Sequence, residues 1–188
     1  VRELRTPLSE KAVRELRAGD TVYLTGEVVT GRDEMHMRAV EYARGGKPIP
    51  EGLENSILFH CGPIMVKEGG RWRTVAAGPT TSSRMDLLGP EMIKRFGIRA
   101  VIGKGGMSEK VGDAMREAGC VYLAAVGGTA VSIAESVVEV QGAEWEDLGM
   151  AEAMWILKVE RMGPLTVAMD SEGGSLYDNV RKRLIRDV

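Results

Sequence analysis

The chain is predicted to be a single mixed α/β domain, and three observations point there. Short, β-branched apolar runs alternate with amphipathic helical stretches through the first three quarters of the chain. Residues 138–170 then change texture, with strand-like runs joined by short turns, as in a hairpin block. Finally, 188 residues without repeats, low-complexity segments or long linkers suit one domain spanning 1–188.

In chain order, residues 6–19 carry a helix signal: Ser9 as cap, Glu10 in the first turn, Val13 and Leu16 on one face, and Gly19 closing it. Residues 21–30 read as a strand rich in Val and Thr. A helix follows from Asp33 to Arg44, with Asp33 as its expected cap, and the Gly- and Pro-rich residues 45–50 form a turn. Residues 56–61 and 72–77 are two strands, with Glu68-Gly69-Gly70 as the turn between them. The helix over 90–96 places Pro90 in its first turn, where the missing N–H costs nothing. Strand 100–102 runs into Gly103-Lys104-Gly105-Gly106, and Ser108 caps a helix from Glu109 to Ala118 that Gly119 stops. Strand 121–126 ends at Gly127-Gly128 and a helix covers 130–137. Strands over 138–145, 155–161 and 165–170 follow, the last two joined by a turn at Met162-Gly163-Pro164. A final helix over 175–186 carries Arg181, Lys182, Arg183 and Arg186 near its carboxyl end, where they complement the helix dipole.

Composition excludes several classes. Hydrophobic residues at 44% can build a core without a disulfide or metal staple. A net charge of −2 lacks the basic footprint of a nucleic-acid binder. No apolar run approaches the ~20 residues of a membrane helix. The amino terminus, Val1-Arg2-Glu3-Leu4-Arg5, lacks the apolar core of a signal peptide, and without an initiator Met a processed or trimmed cytoplasmic chain is expected. Cys61 and Cys120 each lie in an apolar run and read as buried, inert thiols. Two distant cysteines cannot by themselves hold an iron–sulfur cluster, and two histidines without a carboxylate at ligand spacing give no support to a metal site.

The chemistry concentrates in Gly78-Pro79-Thr80-Thr81-Ser82-Ser83-Arg84-Met85-Asp86, where four hydroxyls and a guanidinium occupy five consecutive positions. The loop joins a strand to a helix, and ligands of α/β sheets bind at the carboxyl ends of strands. Thr30-Gly31-Arg32-Asp33 and Gly103-Lys104-Gly105-Gly106 make the same transition and each offers a cation. The second of these is neither a P-loop, since Gly105 stands where Ser or Thr is needed, nor a dinucleotide fingerprint. It is a glycine-rich turn opening a helix, a generic anion site. Arginine's planar fork suits carboxylates, so all three stretches are expected to converge on a small dianionic acid. His36, one turn beyond Arg32, is a candidate for orienting a ligand group. His60 reads as a core residue with a satisfied ring.

Together these segments resemble the β subunit of two-subunit class I fumarate hydratases and L-tartrate dehydratases, equivalent to the carboxyl-terminal domain of single-chain class I fumarases. The resemblance runs from Leu4-Arg5-Thr6-Pro7-Leu8 and Ala18-Gly19-Asp20 through the three loops, Cys61-Gly62-Pro63 and Val126-Gly127-Gly128 to Asp147-Leu148-Gly149-Met150. It implies a swivelling three-layer β/β/α domain with a mixed sheet. It also implies a hydro-lyase that reversibly adds water to or removes it from a dicarboxylate, hydrating fumarate to (S)-malate in the first instance and dehydrating tartrate to oxaloacetate in the alternative. By the same resemblance a four-iron four-sulfur cluster sits on an α subunit, in a dimer of αβ pairs, and this chain binds no metal. Thr80 is the implied base, with Lys104 assisting, while Arg32, Thr81, Arg84 and Lys104 hold substrate. Two rivals from other classes are a stand-alone dicarboxylate-binding module and an unrelated phosphate-binding protein using the Gly-Lys-Gly-Gly turn.

Overall fold

The computed structural model describes residues 1–126 and 128–180. In chain order the elements are β1 (Arg2–Arg5), α1 (Glu10–Arg14), β2 (Thr21–Thr30), α2 (Asp33–Arg44), β3 (Ile57–Phe59), β4 (Ile64–Glu68) and β5 (Arg71–Ala76). They continue with α3 (Gly89–Phe96), β6 (Ala100–Gly103), α4 (Glu109–Ala118), β7 (Val121–Ala124), α5 (Ala130–Glu135), β8 (Val137–Glu144) and β9 (Met154–Met169). Residues 176–180 are helical. Gly127 and the charged positions Arg181, Lys182, Arg183 and Arg186 lie outside the described residues.

Seven strands form one mixed sheet in the order β1-β2-β3-β6-β7-β9-β8. The pairs β1–β2, β2–β3, β3–β6 and β6–β7 are parallel, whereas β9 runs antiparallel to β7 and β8. Because β9 also pairs antiparallel with β2, the central strands close on themselves. Strand alternation then divides the apolar residues between two cores. Ile57, Phe59, Ala100, Ile102, Val121 and Leu123 point into the closed sheet with Trp155, Leu157 and Val167 of β9. Leu58, Val101 and Tyr122 point outward against Met35 and Ala39 of α2, Met92 and Ile93 of α3, and Val111 and Met115 of α4. The layers are therefore helices, the parallel half of the sheet, and its antiparallel half: a β/β/α arrangement in a mixed sheet.

Several local expectations are corrected. The first helix is confined to Glu10–Arg14, although Ser9 does cap it, accepting from the Ala12 N–H at 3.1 Å. Residues before it form β1, because Leu4 is drawn into the core beside Leu24. Arg32, not Asp33, is the N-cap of α2. The Glu68-Gly69-Gly70 turn joins β5 to β4, a strand not foreseen, and the hairpin stands as a separate two-stranded sheet. The two strands expected over 155–161 and 165–170 are one 16-residue strand. Gly163 does not turn the chain back; at φ +149°, a Cβ there would lie 2.9 Å from the Val22 carbonyl, so glycine lets β9 pass close to β2.

The far end of β9 is fastened by Asp170, which is buried. Its carboxylate accepts the N–H groups of Ala18 at 2.9 Å, Glu172 at 2.9 Å and Gly174 at 2.7 Å. Burial raises its pKa, yet these three donors and the Arg17 charge outweigh burial and hold it below the ordinary value. Asp170→Ala leaves buried donors unpaired, and urea unfolding should register a loss of about 1–3 kcal/mol. A midpoint unchanged from wild type would show the fastening to be dispensable.

Candidate active site

The parallel strands β2, β3 and β6 deliver their carboxyl ends to one edge, and the three sequence segments meet there. The loop after β5 is built into that edge as if it were a short strand. The Thr80 N–H donates to the His60 carbonyl at 2.7 Å, and the Thr80 carbonyl accepts from Lys104 N–H at 3.2 Å. Ser82 N–H donates to the Lys104 carbonyl at 3.1 Å, Thr81 pairs with Lys104 in a parallel bridge, and Pro79 pairs with Cys61. A 3-10 turn, Ser82–Met85, follows and presents Arg84 outward. Thr80 is half-buried, whereas Thr81, Arg84 and Lys104 are exposed.

The cations differ in how they are held. Arg84 donates to the Asp33 carboxylate at 2.6 Å, and half of its side chain is open to solvent. The Arg32 Nε lies 3.3 Å from Glu152 Oε1, near enough for an ion pair but not aligned as a hydrogen bond. The other oxygen of Glu152 accepts the Glu34 N–H at 3.0 Å, so Glu152 also caps α2 from the β8–β9 connection. Arg32 packs against Gly62, where a Cβ would fall 2.6 Å from its Nη1. Lys104 has no ion pair among the described residues. The amino terminus of α4 is already served by this chain: Asp86 accepts the Ser108 N–H at 3.1 Å. Beside the loop, a cleft of about 590 Å³ is lined by Ser83, Asp86, Met107, Ser108, Met169 and Tyr177, among others.

Both histidines are buried beneath this surface, at 1% exposure each. The Nδ1–H of His36 donates to the Arg32 carbonyl at 2.7 Å, so His36 orients the Arg32 peptide from below. Its ring meets that of His60 edge to face at 5.1 Å. His60 Nδ1 lies 2.8 Å from the Ser82 hydroxyl, which satisfies it within the core. Burial holds His36 neutral, with its pKa lowered to about 4 against a modest upward pull from the Arg32 carbonyl. Burial and then His36 push His60 well below the ordinary value.

Cys61 and Cys120 are buried free thiols. Burial pushes the pKa of Cys61 up to about 12 and raises that of Cys120 as well, so both stay protonated thiols in the core. Among the described residues no group of three or more His, Cys, Asp or Glu side chains could hold a metal ion. None of the described helices is long and apolar enough to cross a membrane.

Of the six residues expected from the sequence, Arg32, Thr80, Thr81, Arg84 and Lys104 gather at one edge, whereas His36 lies buried beneath it, bonded to the Arg32 carbonyl rather than facing the surface. Sequence reasoning missed Asp33 and Glu152 as holders of the two arginines. Glu152 follows the Asp147–Met150 segment closely, but nothing in local spacing pairs it with residue 32, which is 120 positions away. It also left Ser82 undistinguished among four hydroxyls.

A closed mixed sheet of an α/β domain thus brings three cations and a row of hydroxyls to its strand ends. The chain belongs to the fumarase C-terminus family, whose profile matches residues 2–180. It is 44% identical over 178 residues to a Methanocaldococcus jannaschii protein provisionally named L(+)-tartrate dehydratase subunit beta, covering 94% of this chain and 91% of that one. It is 38% identical over 179 residues to the L(+)-tartrate dehydratase subunit beta of Escherichia coli, covering 95% and 88%. A Geobacillus stearothermophilus protein provisionally named fumarate hydratase class I is 42% identical over 180 residues, which are 95% of this chain but 34% of that protein.

The buried histidines set a pH limit. His36 is neutral when folded but takes a proton from about pH 6.5 downward when unfolded, so stability is lost as pH falls from there to about 4. In wild type this contributes a slope of up to about 1.4 kcal/mol per pH unit, which His36→Gln should remove. Urea midpoints from pH 7.5 to 4.5 check this; equal slopes in both proteins would show that His36 titrates normally.

Proposed function

We propose that the chain is the β subunit of a hydro-lyase that reversibly hydrates a four-carbon dicarboxylate, fumarate and (S)-malate being the first pair. The observation that carries this reading is the Thr80–Arg84 loop, fixed between the ends of β3 and β6 and flanked by Arg32 and Lys104. A dianionic substrate needs cations at both carboxylates, and a hydroxyl between them can move a proton. Arg84, with its exposed fork, takes one carboxylate with help from the Thr81 hydroxyl; Arg32 and Lys104 take the other. In the dehydration direction Thr80 accepts the proton from the carbon beside a carboxylate. The negative charge that then spreads onto that carboxylate is stabilised by the cations in place. A threonine hydroxyl is an ordinary poor base, so its alkoxide depends on Lys104 and Arg84 nearby.

Loss of the hydroxyl needs a Lewis acid, which we assign to a four-iron four-sulfur cluster on a partner α subunit, because such a cluster usually takes four thiolates and this chain has two cysteines. The name "subunit beta" in two relatives supports a partner, as does the longer Geobacillus protein, of which this region matches only 34%. Exposed apolar side chains also accompany the site. Ile64 is two residues past Gly62, Val131 follows the Ala130 that contacts Gly78, and they are 56% and 63% exposed. Exposed apolar surface of this kind fits a subunit interface. Assembly as a dimer of αβ pairs and a cytoplasmic location complete the proposal. A second reading, tartrate as substrate, is favoured by the names of the Methanocaldococcus and Escherichia relatives.

Anaerobic co-expression with the partner, assayed against fumarate, malate and both tartrate enantiomers, tests the reading. Water addition or loss by the complex is expected with one of these acids. A colourless monomer that binds fumarate without any partner or turnover would instead make this a binding module. Within the active complex, Thr80→Ala should lower kcat by at least about 100-fold while KM moves little; the reverse pattern would remove Thr80 from the base role. Arg84→Lys should raise KM about tenfold or more through loss of the two-pronged contact, and an unchanged KM would exclude Arg84 from carboxylate binding.

A further inference from the structure

Ser82 stands apart from the other hydroxyls of its loop. Thr81, Ser83 and Arg84 are exposed and Thr80 is half-buried, but Ser82 has no exposure at all. Its side chain points down into the fold. There the Tyr122 hydroxyl donates to Ser82 Oγ at 2.9 Å, and Ser82 Oγ lies 2.8 Å from His60 Nδ1. Tyr122 has its proton to give, because burial raises its pKa well above the ordinary value. With Tyr122 donating, the proton of Ser82 is free for His60 Nδ1, which as a buried neutral ring can accept it. Ser82 Oγ thus joins the Tyr122 hydroxyl to the His60 ring in one buried chain of bonds.

The pocket that receives Ser82 is specific. Gly103, at the end of β6, lies against it, and a Cβ at that position would overlap Ser82 Oγ and come within 3.1 Å of the Tyr122 hydroxyl. Glycine at 103 is therefore what admits the serine. The same network touches the rest of the site through the backbone. The His60 carbonyl takes the Thr80 N–H, Ser82 N–H is held by Lys104, and His36 connects the His60 ring to the Arg32 carbonyl. Thr80 lies two residues before Ser82 and Arg84 two residues after it.

We propose that Ser82 is a positioning residue for the reaction. Held by Tyr122 and His60 in the notch at Gly103, it fixes the register that points Thr80 and Arg84 at the same ligand. Ser82 acts through these two residues and touches no substrate. The inference rests on the hydro-lyase reading for its kinetic consequence, but its structural consequence can be measured without turnover.

The test uses the co-expressed complex with Ser82→Ala and, as a milder second variant, Tyr122→Phe, which keeps the ring and removes only the donor. Amide hydrogen exchange over residues 78–86 and kinetics are measured on both, with thermal unfolding as a control for global stability. Faster exchange confined to 78–86 is expected in each variant. With it, kcat should fall about 10- to 100-fold in Ser82→Ala, the scale of a small misplacement of reacting groups, and less in Tyr122→Phe. The double variant should be no worse than Ser82→Ala alone, since Tyr122 acts through Ser82. Unchanged exchange over 78–86 in both variants would overturn the proposal, as would full kcat in Ser82→Ala. If the wild-type complex turns over none of the acids, the hydro-lyase reading fails, while the exchange data still decide whether Ser82 holds the loop.

Discussion

Three backbone hydrogen bonds organise this molecule's functional edge: Thr80 to His60 at 2.7 Å, Lys104 to Thr80 at 3.2 Å, and Ser82 to Lys104 at 3.1 Å. They turn a surface loop into a surrogate strand inserted between the ends of β3 and β6. Without them, a run of Thr and Ser next to Gly-Pro would bond its own backbone in alternative turns. With them, each residue from 80 to 84 has an assigned direction. The insertion is possible because β2, β3 and β6 are parallel neighbours and finish at the same edge. Arg32 and Lys104 arrive there on their own strands, so the site is a consequence of topology.

The electrostatics of that edge assign different parts to the cations. The Arg84–Asp33 pair is half exposed, and exposed ion pairs are worth only about 0–1 kcal/mol. Under the proposed function, a substrate carboxylate would therefore replace Asp33 at small cost. Arg32 is more enclosed, lies against Gly62, and faces a glutamate that simultaneously caps α2. Its side chain is about half as exposed as that of Arg84, 26% against 50%. Lys104 carries its charge on the exposed turn after β6. Beneath them, two neutral histidines fill the space between Arg32 and Ser82 without adding charge under the cationic surface.

Much of this was legible in residues that act locally. The boundaries of β2, α2 and α4 follow from β-branched runs, periodicity and the Gly119 stop, and the cationic loops announce themselves by composition. What escaped depends on distant partners. β1 and β4 are strands because Leu24 and β5 lie beside them, and β9 runs on through Gly163-Pro164 because β2 passes close by. Glu152 and Asp33 look like surface acids until the fold sets them against Arg32 and Arg84. Ser82 differs from its neighbours only in which way it points. A chain read alone shows which groups are present, whereas counter-ions and buried hydroxyls are assigned by tertiary contact.

The central claim is that Thr80, Arg84, Arg32 and Lys104 face one dicarboxylate. The most direct measurement is a crystal structure of the co-expressed complex with a bound dicarboxylate. The predicted result is Arg84 released from Asp33 onto one carboxylate, Arg32 and Lys104 at the other, and the Thr80 hydroxyl against the carbon between. A dicarboxylate bound elsewhere, with the Arg84–Asp33 pair intact and Thr80 turned away, would contradict it.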